Sequence, residues 1–480
     1  MAPTVAIIGA GFGGLCMGIG LRRAGMTGFT IFERAGGVGG TWRDNTYPGA
    51  ACDVPSHLYS YSFEQRRDWS RRFPAQPELL SYLEDCADKY GLRRHLRLNT
   101  EVTAAEFDGR TGRWRVTTSD GERRTFDVVI SGVGQLNRPR LPDIPGLADF
   151  RGRSFHSARW DHGHDLTGRR VAVIGNGSSA AQIIPRVARL TKHLDVYQRT
   201  ASWVIPKADG VYGERRRLAF RYVPFLRAAE RERVFRFLEG VIYPALVDGW
   251  SRNLVLKRAR EHLGSQVPDP ELRAKLTPDY PIGCKRIVID SDFYPALTRP
   301  DVELVTEPIT RIVPGGIETA GGRVREVDTI IFATGFHTND LLAPIEITGR
   351  DGHPLREAWR DGAEAYLGIA VPRFPNLFLL YGPNTNLGHN SIIYMIESQV
   401  WYIMGCLRLL ASRGPMEVRQ PAMESWRRAL EAALARTAWQ ASCHSWYKNE
   451  AGKIVNNWPR PAAAYRRITR APRPDAYRFG

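Results

Sequence analysis

What this 480-residue chain lacks narrows its role before any motif is read. Its six cysteines, at 16, 52, 86, 284, 406 and 443, never fall into a CxxC or CxxxxC pair. That spacing speaks against a zinc site, a disulfide scaffold and a dithiol reductase, and no metal is expected. It suits a reducing cytosol, so a cytoplasmic protein is the expectation. Uninterrupted apolar runs of about 18 residues are missing too, and no membrane span is expected. The apolar opening from Val5 to Leu21 lacks the basic start of a signal peptide and is broken by glycines, which argues against export. Acidic residues are short: 50 Asp and Glu against 67 Lys and Arg leave a formal net charge of +17. Apart from short groups such as Arg215-Arg216-Arg217 and Arg22-Arg23, that excess is scattered. Scattered charge reads as a solvated surface, so no nucleic-acid partner is expected.

What is present is an ordinary globular composition, 43% hydrophobic and 24% charged, over a length that suits two to four domains. The first 34 residues read as a β-rich run from Val5 to Ile8, a turn from Gly9 to Gly14, a helix from Leu15 to Ala24 and a strand from Phe29 to Glu33. The same grammar returns with a strand from Arg170 to Ile174, a turn from Gly175 to Ala180, a helix from Ala181 to Arg189 and a strand from Leu194 to Arg199. Pro185 falls inside that second helix. Further apolar strands end in glycine at Val128–Gly134 and at Thr329–Ala333. A stiff connector carries Pro139, Pro142 and Pro145. The expected fold class is α/β, with two Rossmann-like dinucleotide-binding domains and a helical insertion. One domain spans 1–145 and resumes over 336–480. The other is inserted at 146–335, with a helical segment at about 211–265 that reads as its cap; a membrane-surface helix is the alternative there.

The two turns carry chemistry. Gly9, Gly11 and Gly14 fit GxGxxG between a strand and a helix. The first makes the turn, the second admits a pyrophosphate to the backbone, and the third lets helix and strand pack closely. The helix N-terminus then offers free N–H groups to phosphate. Glu33, 24 positions after Gly9, can accept hydrogen bonds from an unphosphorylated ribose. Gly175, Gly177, Ser178 and Ser179 lie in a matching GxGxxA turn. The residue 24 positions after Gly175 is Arg199, followed by Thr200. An arginine in place of the acid can pair with a 2′-phosphate. The first site therefore suits FAD or NAD and the second NADPH, an arrangement for moving a hydride from NADPH to flavin.

Two further motifs carry a resemblance. Phe150, Gly152, His156 and Trp160, closed by Asp161, fit FxGxxxHxxxW(P/D). Gly39, Gly40, Trp42, Tyr47-Pro48-Gly49 and Asp53 fit GGxWxxxxYPGxxxD. Both resemble the signatures of the Baeyer–Villiger monooxygenases, a branch of the class B flavin-dependent monooxygenases, and the likeness runs through nearly the whole chain. It implies FAD and NADPH as cofactors, O2 and a small ketone as substrates, and an ester or lactone as product by way of a C4a-peroxyflavin. It also implies roles. Arg286 resembles the catalytic arginine and Asp53 the carboxylate beside it. Lys285, Arg199 and Thr200 resemble the holders of the 2′-phosphate. Gly40, Thr41, Trp42 and Tyr59 lie in segments that look like flavin-contacting ones. Phe150, Gly152, His156, Trp160 and Asp161 then couple domain motion to catalysis. The alternatives are an amine- or sulfide-oxygenating relative and a dinucleotide-binding protein without turnover. His337 stands where many relatives carry Asp, and the stretch after Trp458-Pro459 lacks a customary glycine, so no particular substrate is carried over.

Overall fold

The computed structural model describes residues 2–480. Two five-stranded sheets organise them. In the first, the order is Leu377–Leu379, Val128–Ser131, Val5–Ile8, Phe29–Phe32 and Leu96–Arg97, all parallel. Its central strand is covered on both faces, which is why it reads as an unbroken apolar run. Val5 and Ile7 pack with the helices Phe12–Arg23 and Ile392–Arg413. Ala6 and Ile8 face the other way, toward Val102, Trp114 and Val116 of a small, mostly antiparallel sheet.

The second sheet runs Val302–Val305, His193–Tyr197, Arg170–Ile174, Thr329–Phe332 and Arg153–His156, again all parallel. Both dinucleotide-type helices start a turn earlier than the glycines imply, at Phe12 and Ser178. Gly11 and Gly177 are the capping residues, in extended conformation, so Gly14 and Ala180 already lie in the first turn. Pro185 stays within the helix Ser178–Val187.

Between the sheets the chain crosses twice, at 137–146 and 333–337. The crossings lie side by side. Arg140 donates its N–H to Gly335 O at 2.9 Å, and His337 donates to Arg138 O at 3.0 Å.

The segment expected to cap the inserted domain is helical at Glu214–Tyr222, Pro224–Phe237 and Arg252–Gln266, with a π turn at Leu238–Ile242. Only its later part packs on the inserted domain, through Leu263 and Val267. Its earlier part is fastened to the first domain. Arg231 donates to the carbonyls of His57, Leu58 and Ser60. Glu239 accepts from His389, Asn390, Ala462 N and Ala463 N.

One reading of the cysteines is overturned. Cys284 and Cys443, separated by 159 positions, form a disulfide. Local spacing detects only pairs that are close in sequence, whereas this bond joins the inserted domain to the C-terminal region. The cysteines therefore no longer argue for a reducing compartment. Among the described residues no helix is long and apolar enough to cross a membrane.

Candidate functional site

The C-terminal ends of both parallel sheets open into one cleft of about 2270 Å³. That is where open α/β sheets place their ligands, because the glycine turns and helix N-termini gather there. On the first side the strand Val5–Ile8 delivers Gly9 and Gly11 to the cleft wall. Gly14 sits behind them, and a Cβ there would lie 1.8 Å from Gly9 O, so only glycine lets the helix come this close. Glu33, 6% exposed, accepts from Ala10 N at 2.9 Å and Ala35 N at 3.0 Å. Oε1 also pairs with Arg43 Nη1 at 3.3 Å, and Oε2 keeps a further lone pair for a ligand. Gly40 rests against Gly11, and Thr41, Trp42 and Tyr59 line the same wall. The Trp42 indole donates to the Tyr59 hydroxyl at 3.2 Å, and Tyr59 meets Phe12 edge to face.

On the second side Gly175, Gly177, Ser178 and Ser179 line the cleft. Asn176 donates to Gln198 Oε1 at 2.9 Å and to Thr200 O at 2.7 Å, tying this turn to the end of the neighbouring strand. Arg199, Thr200 and Lys285 meet there. Lys285 Nζ donates to Thr200 Oγ1 at 2.6 Å. Burial, and then the nearby Arg199 charge, push the Lys285 ammonium down from its ordinary value. Two cations that disfavour one another beside a hydroxyl form a donor set for an anion of high charge density, which is what a 2′-phosphate presents.

Asp53 and Arg286 stand between the two cradles, and Arg286 Nη2 donates to Asp53 Oδ2 at 2.5 Å. Burial alone would raise the Asp53 carboxyl, but the Arg286 charge and hydrogen bond, with help from Lys207, hold it below the usual carboxylate range. Asp53 in turn raises Arg286 against its own burial. The pair is therefore ionised, and the Arg286 side chain keeps 33% exposure toward the cleft. The loop that carries Asp53 is fixed by the other domain. Tyr47 donates to Gln182 Oε1 at 3.0 Å, and Gln182 Nε2 donates to Ala51 O at 2.9 Å. Gly49, at φ +87°, approaches Gln182 O so closely that a Cβ would lie 2.7 Å away. The Tyr-Pro-Gly stretch thus docks on the helix Ser178–Val187 and sets the carboxylate four residues on. Cys52, beside Asp53, is buried, and burial pushes its thiol up, away from the thiolate form.

The Phe150–Asp161 signature lies away from this pair, at the chain crossings. His156 accepts from Ala158 N through Nδ1 at 3.1 Å, and its Nε2 lies 3.0 Å from Gly335 O. Burial lowers its basicity, so the ring is neutral with the proton on Nε2, donated to Gly335 O. Gly152 passes against Asp328 O and the Phe150 ring. Trp160 packs edge to face on Phe155, and Asp161 pairs with Arg153 at 2.6 Å. The structure thus brings Asp53, Arg286 and both cradles together and leaves the signature as the fastening of a crossing.

Several residues at the centre went unread. Gln182 and Lys207 belong to no motif and show their roles only through contacts. Tyr381 and Tyr447 both feel the Arg286 charge, and burial pushes both phenols up, Tyr447 to about 12. Tyr381 donates to Asn386 Oδ1 at 2.7 Å. The Gly382–Asn386 turn next to it was the available signal.

Comparison with known proteins agrees with this geometry. The model of the family described as flavin-binding monooxygenase-like matches residues 2–239. A Baeyer–Villiger monooxygenase of Pseudomonas aeruginosa is 45% identical over 98% of this chain and 90% of that protein. The structure of an oxidised steroid monooxygenase bound to NADP superposes with a TM-score of 0.89 at 32% identity, covering 100% of this chain and 99% of that one. The OTEMO complex with FAD and NADP gives a TM-score of 0.89 at 28% identity, with both chains covered in full. The chain belongs to the Baeyer–Villiger monooxygenases, flavoprotein enzymes within the flavin-binding monooxygenase-like family.

Proposed function

We propose that this enzyme consumes NADPH and O2 to insert one oxygen atom beside a ketone carbonyl, giving an ester or lactone. FAD takes the first cradle, with its pyrophosphate against Gly9, Gly11 and the start of the helix Phe12–Arg23, and its ribose at Glu33. Gly40, Thr41, Trp42 and Tyr59 form the wall on the flavin side. NADPH takes the second cradle, its pyrophosphate at Gly175, Gly177, Ser178 and Ser179 and its 2′-phosphate at Arg199, Thr200 and Lys285. The distribution of strands between two parallel sheets supports an FAD domain of 1–145 with 336–480, and an NADPH domain of 146–335. The cytoplasmic setting expected from the sequence now rests on the supply of NADPH there, not on the cysteines.

FAD held in the first cradle would take two electrons from NADPH and pass them to O2, activating it for transfer. The chain supplies the charge. Arg286 cannot release its proton and presents a fixed cation where negative charge gathers on the attacked carbonyl oxygen. Asp53 holds that guanidinium in place and offsets the cost of burying it. Tyr381 and Tyr447 stay neutral beside that cation, and the Tyr381 hydroxyl is committed to Asn386 Oδ1. The two domains, clasped through Tyr47, Gln182 and Gly49, narrow the space left to water.

The observation that carries this reading is the ionised Asp53–Arg286 pair at the meeting of the two cradles. Its test is NADPH consumption against a cyclic ketone, an aryl ketone and a sulfide, with product mass checked for one added oxygen. Ester or lactone from the ketones is the expected result. Sulfoxide alone would move the enzyme to the heteroatom-oxygenating side of the family.

A further inference from the structure

Large apolar side chains are left uncovered at one turn, between the helices Glu214–Tyr222 and Pro224–Phe237. Tyr222 is 70% exposed, Phe225 69% and Leu218 46%. Exposed arginines surround them at 215, 217 and 221. Aromatic rings and arginines together at a protruding turn are the composition of an interfacial anchor rather than of a solvated loop.

Beside this turn lies a second cavity, of about 650 Å³, walled by residues 62–68, Lys89, Arg221 and Arg227. Its acids are already engaged. Glu64 accepts from Lys89 and from Tyr90, each at 2.8 Å, and Asp68 pairs with Arg66 at 2.9 Å. Arg67, Arg221 and Arg227 have no carboxylate partner among the described residues. Arg227 is 8% exposed, donates only to the carbonyls of Phe220 and Arg221, and leaves its Nε without an acceptor. Arg67 adds a like charge beside it. A buried guanidinium without a counter-charge is costly, and an arriving anion removes the cost.

We infer that this face docks on an anionic phospholipid bilayer. A headgroup phosphate enters the cavity against Arg67, Arg221 and Arg227, while Tyr222 and Phe225 sink into the boundary between headgroups and acyl chains. A free phosphate would leave the exposed rings unexplained. A second copy of the chain meeting this face across a two-fold axis would set the same arginines against one another. An anionic bilayer answers both features, and apolar insertion together with charge is the pairing of two signals that stable attachment needs.

The experiment floats the FAD-loaded full chain with vesicles of phosphatidylcholine, with and without phosphatidylglycerol. Flotation is expected with the anionic vesicles alone and lost in high salt. Each basic residue near such a surface is worth about fivefold in binding, so Arg67→Glu with Arg221→Glu weakens attachment by about 30-fold or more. Tyr222→Ser with Phe225→Ser also weakens it. Both double variants keep their FAD and their turnover of a water-soluble ketone. Flotation that fails in the native enzyme, or survives both double variants unchanged, overturns the inference. So does thermal stabilisation by inorganic phosphate that Arg67→Glu with Arg221→Glu abolishes without any vesicle binding, which leaves only an anion site. Self-association abolished by Tyr222→Ser with Phe225→Ser, without vesicle binding, gives the face to a second copy. The readout is partitioning, so it stands or falls independently of which substrate the enzyme oxidises.

Discussion

If Asp53 acts only by holding Arg286, its removal should cost nothing once Arg286 has gone. Their atoms meet at 2.5 Å, with side chains 33% exposed for Arg286 and 16% for Asp53. Unit charges about 4 Å apart attract by about 4 kcal/mol at an effective dielectric of about 20, and desolvation takes back part of that. A coupling of about 2–3 kcal/mol remains, or roughly 30- to 150-fold in rate. Arg286→Ala removes the cation from the developing charge and should lower kcat/KM for ester formation by about 10²–10³. NADPH-driven flavin reduction in the same variant should persist. Asp53→Ala should lose about 30- to 150-fold, the coupling worked out above. The double variant should resemble Arg286→Ala alone. Stopped-flow flavin reduction and ester production, measured on all four proteins, complete the cycle. Losses that multiply, to about 10⁴ or beyond in the double variant, would show that Asp53 has work of its own and refute the positioning role.

Removing Lys285 or Arg199 deletes one charged contact to the 2′-phosphate, worth about 1.5–3 kcal/mol, so KM for NADPH should rise roughly 10- to 150-fold while use of NADH barely changes; equal loss with both nucleotides counts against the assignment. Gly14→Ala forces a Cβ to within 1.8 Å of Gly9 O, and the purified protein should be colourless and free of FAD by absorbance. Asp53 is held below its ordinary range, so its share of stability is fully present above its unfolded value, about 3.9, and is lost as pH falls through the lower folded value. The stability gap between the native enzyme and Asp53→Asn should accordingly stay constant from about pH 5 upward and close only in stronger acid; a gap that shrinks near neutrality is the wrong sign. The Cys284–Cys443 bond spans 159 positions, for which loop-closure entropy assigns about 5 kcal/mol. Reduction, or Cys443→Ser, should lower the thermal midpoint, and an unchanged midpoint removes the bond from the stability of the enzyme.

Sequence periodicity reached the strands and helices of both nucleotide units because each is local. Apolar runs such as Val128–Ser131 announce buried parallel strands, and glycines at fixed offsets announce the turns. Helix starts were missed by a turn because the second glycine of each motif is itself the cap. At the site, Asp53 and Arg286 were legible only as separate motif members 233 positions apart, and their direct contact depends on the fold. Gln182 carries no sequence signal at all: a glutamine on a helix face becomes a clasp only where Tyr47 and Ala51 of the other domain meet it. The disulfide was invisible for the same reason, and so was the attachment of the helical insertion to the first domain through Arg231 and Glu239.

The paired crossings at 137–146 and 333–337 bear on how the nucleotide units can move. Two backbone segments bonded to each other, with His156 gripping one of them at Gly335, resist sliding and splaying but leave twist about their common axis comparatively cheap. The inserted unit is nonetheless held at more than this seam: the Cys284–Cys443 bond and the Tyr47–Gln182 clasp fasten it again on the flavin side, so any such twist has to work against both.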